Sequence, residues 1–586
     1  VQIHRFGASA LLIDADGLEE ALALHEALTD ARIDGVTEIV PSAAAVLVMF
    51  DTAVTDEQRV ARAVRGRWHG APPALDASAD LGDAAGQPGI EIPVTYDGPD
   101  LEEVAALTGL TTASIIDRHL ASSWRVAFVG FAPGFAYLLG GDPALHVPRR
   151  SSPRTTVPAG AVGLAGQFSG VYPRSSPGGW QLIGHTTARM WDATRSDSPA
   201  LLMPGMRVRF VRAPRPVVPL PGGFPSDAAS THQPHVRPEA ARLSPKRWAS
   251  RSPRAVRIDR VALLATVQDL GRPKHAALGV TPSGAMDRPA LRRANRLVGN
   301  PTNAAAIEFV GPIAVTAVGD LIVALTGAES RAVVTRSVVT RTSRRPVGAD
   351  AVALQPDAET IDDSDSLSVE PEQPDRAFAL HDGDQLVVEP TGRGLYGYLA
   401  VLGGLGDGAA LLLGSASTDT LAGLGPTPLR PNDTLAVGAR RGAAVADLPE
   451  PGPRLQTVDE SIASPQSFMV RPGPREDWFT DDALRLVTEQ IWTVHSASNR
   501  VGVRLTGSRP LARRDERELP SEGMVTGAIQ VPPNGQPVVF TADHPVTGGY
   551  PVIATVEPAD LARLVQIPPG GCFRFTTDAF GVPSAL

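Results

Sequence analysis

The sequence predicts a mainly β protein with α/β portions, divided into several domains, and three observations carry that expectation. Its 586 residues exceed what a single hydrophobic core organises. Valine- and leucine-rich runs separated by glycine and proline turns dominate from about 124 to 213 and from 256 onward, the patterning of strands and turns. Only the first 85 residues or so alternate such runs with helix-period segments, the order of a small α/β sandwich.

Within residues 1–85, "ALLIDA" and "AVLVMFD" read as strands, and "LEEALALHEALTDA" and "DEQRVARAVRGRW" as helices. Residues 75–89 are small and polar, a connector. A second domain, 86–213, begins with the strand "IEIPVTYDG" and two helices. Pro99 stands ahead of the first helix, and Thr111 or Thr112 caps the second. The rest of that domain reads as a β-barrel with this one helical excursion. Residues 214–255 are rich in Pro, Ser and Arg without apolar periodicity, a flexible tether between two otherwise complete proteins. Two further β-rich domains follow, 256–450 and 451–586. A "GD" turn at 319 and again at 383 precedes a strand each time, and the acidic stretch 356–375 reads as a solvated loop.

Composition excludes several classes of function. A net charge of −9 disfavours nucleic acid as a partner. No apolar run is long enough to span a membrane, and the first residues lack the pattern of a secretory signal, so a cytoplasmic protein is expected. A single cysteine, Cys572, permits no intrachain disulfide and reads as strand packing. Of 54 basic residues only Lys246 and Lys274 are lysines. A lysine-bearing phosphate loop and a biotin-attachment lysine are therefore absent. There is no GxSxG elbow and no Gly-Gly-Ser-Ser amidase stretch. The closely spaced His232 and His235 fall in the tether, so no metal site is expected.

The residues that suggest chemistry cluster in glycine-rich loops. "FVGFAPGFAYL" (128–138) reads as a rigid loop that presents aromatic faces. Phe131, Phe135 and Tyr137 would wall a flat guest while Gly130 and Gly134 let backbone approach it. Arg149, Arg154 and Arg174 lie among glycines and serines, with Gln181 close behind, and suit a carboxylate or phosphate. In the second half, Asp269 and Arg272 flank a turn as a possible salt bridge. Ser283, Gly284, Met286 and Asp287 form a turn whose N–H groups could face a ligand, ahead of a helix opened by Pro289. Asp269, Glu308, Glu522, Asp543 and His544 are the acid–base candidates, and Gly548, Gly549 and Tyr550 repeat the glycine-plus-aromatic theme.

At these residues the sequence resembles a known family. "GFAPGFAYL" and "PRTTVPAGAVGLAGQFSGVYPRSSPGGWQLIGHT" resemble a protein known by three names: Kip-type kinase inhibitor, allophanate hydrolase subunit 1 and the B-type subunit of 5-oxoprolinase. "TVQDLGR", "GVTPSGAMD", "LGSASTDT", "RPGPREDWF", "SEGMVTGAIQVPPNGQP" and "TGGYPVIATV" resemble its partner, the C-type subunit of 5-oxoprolinase or allophanate hydrolase subunit 2. The resemblance covers nearly the whole chain apart from the tether and the acidic stretch, as if the two subunits were fused. It implies cyclophilin-like barrels and ATP-dependent opening of 5-oxoproline to glutamate, using ATP with Mg, alongside a separate 5-oxoprolinase A-type subunit. It also extends to the carboxyltransferase part of urea carboxylase. That leaves two alternatives: a small-amide carboxyltransferase using biotin carried on another chain, since none is attached here, or a histidine-kinase inhibitor without enzymatic activity. His185 departs from the family's usual arginine, and "DHPVT" (543–547) from its usual Gln-Thr-Thr. Pairing of the two halves within one chain or across a homo-oligomer is left open.

Overall fold

A computed structural model describes residues 1–68, 89–213 (apart from 151, 153, 193, 194, 196 and 197), 254–336, 368–440 (apart from 407–410) and 442–577. The connector, apart from Gly89, and almost all of the tether lie outside these residues. So does the first part of the acidic stretch.

The front of the chain forms a four-stranded antiparallel sheet in the order Ile3–Arg5, Ala10–Asp14, Ala45–Phe50, Val36–Pro41. Strand side chains alternate between faces, and both faces here are apolar. Leu11, Ile13, Val46 and Val48 pack under the helices Leu18–Ala31 and Glu57–Arg67. Asp56 caps the second helix at the Arg59 N–H, 2.9 Å away. Ala10, Leu12, Ala45 and Leu47 face the other way, onto Met524, Val525 and Phe540 of the far end of the chain. The front sheet is thus sandwiched between its own helices and the second half.

Seven strands of residues 90–212 follow in one sheet, whose edges are Gln181–His185 and Ile90–Val94. A bridge between Thr95 and His185 brings those edges together, so the sheet is a nearly closed barrel. The helices Leu101–Thr108 and Thr112–Ala121 form the excursion, and the Thr111 hydroxyl accepts from Ser114 N–H at 3.2 Å.

The second half opens with a six-stranded and a five-stranded sheet around a shared core that includes Ile258, Val267, Ile307 and Phe309. Both "GD" turns use left-handed glycines, Gly319 at φ 71° and Gly383 at φ 85°. They lie side by side, with Gly383 N–H donating to the Ala317 carbonyl at 3.0 Å. The acidic stretch is not wholly a loop. Ser368–Glu372 is an edge strand paired with Ser330–Arg336, because backbone pairing offsets its poor strand composition. Seven strands from Gln466–Pro472 to Cys572–Thr576 then form a closed barrel. Cys572 is half-buried at the start of the last strand. The chain is therefore mainly β, with one closed and one nearly closed barrel and α/β portions. Among the described residues, no helix is long and apolar enough to cross a membrane.

Candidate functional site

The turn ahead of helix Arg288–Leu297 is held by left-handed residues, Ser283 at φ 52° and Gly284 at φ 93°. Asp287 caps the helix at the Ala290 N–H, 2.9 Å away, and takes Gln566 on its other oxygen at 2.8 Å. The turn's N–H groups do meet an anion, but one of the chain's own. Met286 N–H donates to Glu308 at 2.8 Å and Asp287 N–H to the Tyr398 hydroxyl at 2.7 Å, which in turn donates to Glu308 at 2.7 Å.

The other Glu308 oxygen receives Arg500, a side chain only 1% exposed. The same guanidinium grips Asp543 through Nε and Nη2, both at 2.9 Å, and donates to the Gly284 carbonyl at 2.6 Å. Asp543 also accepts from Ser283 Oγ at 2.6 Å and from Thr420 N–H and Oγ1 at 2.9 and 2.7 Å. Burial opposes charge on Asp543, yet Arg500 and these hydrogen bonds hold its carboxyl below the usual range. For Glu308 the balance reverses, and burial pushes it up against the pull of Arg500. One arginine and two carboxylates are thus locked together at the centre of the second half.

Asp269 and Arg272 do not form the expected salt bridge. Asp269 accepts from the Ser415 and Ser417 hydroxyls at 2.6 Å each and from the Gly271 and Ala416 N–H groups at 2.7 Å. Arg272 donates to the carbonyls of Leu412, at 3.4 Å, and Ser417. Three of these neutral donors converge on Oδ1 and the Ala416 N–H takes Oδ2, so the carboxylate is held by its neighbours while Arg272 turns to backbone carbonyls. Glu522 joins a different set: Arg475 donates to it at 2.8 Å and to Asp14 of the front sheet at 2.6 Å, and Asp14 pairs with His4 at 2.8 Å. Burial pushes Glu522 up; it also opposes Asp14, but His4 and Arg475 bring that carboxyl down to about 2. His544 is buried and turned to Thr526, away from the partners of its neighbour Asp543.

In the first half, Arg154 bonds the buried Asp100 at 2.7 and 2.9 Å; Arg150 and the Leu182 N–H bind the same carboxylate. Arg149 is exposed and 3.8 Å from Glu518. Gln181 is buried and donates to Glu103 at 3.3 Å. Phe135 and Tyr137 pack into an aromatic cluster with Phe128, Tyr172 and Trp180. Phe131 is left 37% exposed in a left-handed conformation, φ 61°, rare for a bulky residue. Its N–H donates to Thr547 Oγ1 at 3.1 Å, and Gly134 N–H donates to the Leu278 carbonyl at 3.2 Å. Gly130 lies so near Thr547 that a Cβ there would come within 2.8 Å of Oγ1. The loop therefore sits on the seam between the halves. Across that seam, Gly548 pairs with Glu522 in a short two-strand ladder, Gly549 follows, and the Tyr550 ring is exposed.

A cleft of about 610 Å³ opens elsewhere along the junction, lined by Arg174 and Ser176 from the first half and by Thr420, Leu421, Asn499 and Arg500 from the second. Of the expected residues only Arg174 lines it. Ser283 stands two hydrogen bonds behind, through Asp543 to Thr420, while Phe135 and Arg154 are not among the lining residues. Thr420 closes the stretch "LGSASTDT" without being a candidate site residue, and the sequence does not single out Arg500. Arg500 lies in a short polar turn, "SASNRVG", with nothing local to mark a buried cation. Among the described residues, no cluster of three His, Cys, Asp or Glu side chains is placed to hold a metal ion.

Residues 1–202 match the carboxyltransferase domain, subdomain C and D, and residues 278–354 and 361–577 match its subdomain A and B. The chain belongs to the carboxyltransferase-domain family. It is 52% identical to the B subunit of 5-oxoprolinase from Escherichia coli O157:H7 over 125 residues, 21% of this chain and 57% of that protein. To the C subunit of 5-oxoprolinase from Escherichia coli K12 it is 33% identical over 324 residues, 55% of this chain and 90% of that protein. The chain is accordingly a fusion of B-type and C-type portions, spanning about half the length of the B-type relatives it matches. The crystal structure of TTHA0988 superposes on it with a TM-score of 0.74 and 32% identity, covering 97% of this chain and 99% of that one.

Proposed function

We propose that this chain is the B/C component of an ATP-dependent 5-oxoprolinase, which opens the lactam 5-oxoproline to glutamate together with a separate A-type subunit. The observation that carries the reading is the alignment of one chain with both the B and the C subunits of that enzyme, and a cleft lined by both halves supports it. We read the barrel of the first half and the closed barrel at the end of the second as cyclophilin-like, and keep the domain divisions suggested by the sequence as part of this proposal.

A five-membered lactam is a poor electrophile, and phosphorylation of its amide oxygen by ATP would make the carbon open to water. The cleft residues do not fit the triphosphate itself. Arg500 is taken up by Glu308 and Asp543, and those buried carboxylates would repel phosphate. ATP with its Mg is therefore assigned to the A-type partner, and no step is routed through it here. This chain's part is to bind the small substrate at the junction. The exposed Phe131 offers a flat face at the seam, and the exposed Arg149 a cation for the substrate carboxylate. The test combines the purified chain, the A-type partner, 5-oxoproline and ATP, and measures glutamate and ADP. Both should form only when all four are present. Lactam-independent ADP release, or no glutamate, would overturn the assignment.

A further inference from the structure

Asp543 and His544 are adjacent in sequence and face opposite ways: Asp543 turns inward to Arg500, and His544 turns to Thr526, just ahead of strand Ala528–Gln530. His544 Nδ1 lies 2.8 Å from the Pro545 carbonyl oxygen. A carbonyl only accepts, so Nδ1 carries the proton and Nε2 presents its lone pair. Thr526 Oγ1 is 3.1 Å from that Nε2, and its hydroxyl donates there. The imidazole is 2% exposed and lies parallel to the Phe540 ring, at 11° with centroids 5.7 Å apart, whereas Thr526 is exposed. Burial, opposed by the Pro545 carbonyl and the charge of Asp543 and aided by that of Arg288, holds the imidazole neutral, down to about 4. Its lone pair is then as basic as an ordinary aspartate and present across the whole neutral range. A hydroxyl on an exposed residue, a neutral base on it and a carbonyl that fixes the base's tautomer are the parts of an activated nucleophile.

We propose that Thr526 and His544 form a nucleophile–base pair that accepts an acyl group from activated acyl donors, such as aryl esters or acyl phosphates. Thr526 Oγ1 forms a bond to the acyl carbon, and the bond from that carbon to the leaving oxygen breaks, its electron pair departing with the leaving group. The hydroxyl proton passes to His544 Nε2 and from there to the leaving group or solvent. The products are a threonyl ester and the free leaving group, and water later releases the acid. The pair uses neither the cleft nor a nucleotide, so it stands apart from the 5-oxoprolinase reading.

The test needs only the full chain and p-nitrophenyl acetate. The expected result is a nitrophenolate burst approaching one equivalent of protein, with peptide mass mapping placing the acetyl group on Thr526. Thr526→Val, at an exposed position, should melt like the parent and lose both the burst and the label, while Thr526→Ser keeps them. The labelling rate should be flat across the neutral range and fall in acid with a midpoint of about 4. An undiminished burst in Thr526→Val, an acetyl group on another residue, no burst at all, or a rate proportional to hydroxide throughout would each overturn the proposal.

Discussion

Replacing Arg500 by methionine tests the central buried network most directly. The substitution keeps much of the aliphatic length but removes the guanidinium's hydrogen bonds to Glu308, to both oxygens of Asp543 and to the Gly284 carbonyl. Glu308 and Asp543 are 2% and 0% exposed, so neither gains water in exchange. Leaving a buried charge without its partner costs about 3–5 kcal/mol. Asp543 keeps Ser283 and Thr420, which places the expected loss toward the lower part of that range, about 3 kcal/mol. Without the cation both carboxyls bind protons more readily when folded than when unfolded, so the deficit shrinks as the pH falls. Urea unfolding of the parent, Arg500→Met, Asp543→Asn and the double variant closes a mutant cycle, and the Asn should recover part of the loss. A cost under about 1 kcal/mol, or strict additivity of the two substitutions, would refute the reasoning.

Gly134→Val places a β-branched residue at φ 76° with its Cβ 3.0 Å from the Met190 carbonyl, so a melting temperature equal to the parent's would contradict the loop's geometry; a loss of about 2 kcal/mol is expected. Asp419 is pushed up by burial and by the Asp543 charge, to about 6, and accepts from Thr281 Oγ1 at 3.0 Å and the Ala422 N–H at 2.7 Å. Because the folded carboxyl holds its proton more tightly than the unfolded one, stability should fall by up to about 3 kcal/mol as the pH rises from about 4 to about 6, and Asp419→Asn should flatten that slope in pH-dependent unfolding. Arg475→Met cuts the link from Glu522 of the short two-strand ladder to Asp14 of the front sheet; hydrogen exchange across residues 3–50 should quicken more than in the first-half barrel, and uniform quickening would argue against a local seam.

What could be read before folding follows from how locally each signal is encoded. Leu18–Ala31 and Glu57–Arg67 repeat apolar residues at helical spacing, and Thr111 and Pro289 mark helix starts through their own backbone chemistry. The "GD" turns at 319 and 383 announce left-handed glycines because only glycine adopts that conformation freely. The acidic composition of 356–375 misled, since a strand such as Ser368–Glu372 owes its pairing to a neighbour more than thirty residues away in sequence.

By itself the sequence determined the mainly β class, the helices of the front of the chain and the one opened by Pro289, and the family to which the two portions are similar. Only the tertiary structure decided which polar groups meet. Arg500 reaches Glu308 across 192 residues, Asp14 reaches Arg475 across 461, and the Phe131 N–H reaches Thr547 across 416. It likewise turned the neighbours Asp543 and His544 to different partners and gave Asp269 to serines instead of Arg272. The physical reason is that periodicity and capping act within a few residues along the chain, whereas a buried charge is stabilised by whichever opposite charge or donor the packed fold brings within about 3 Å.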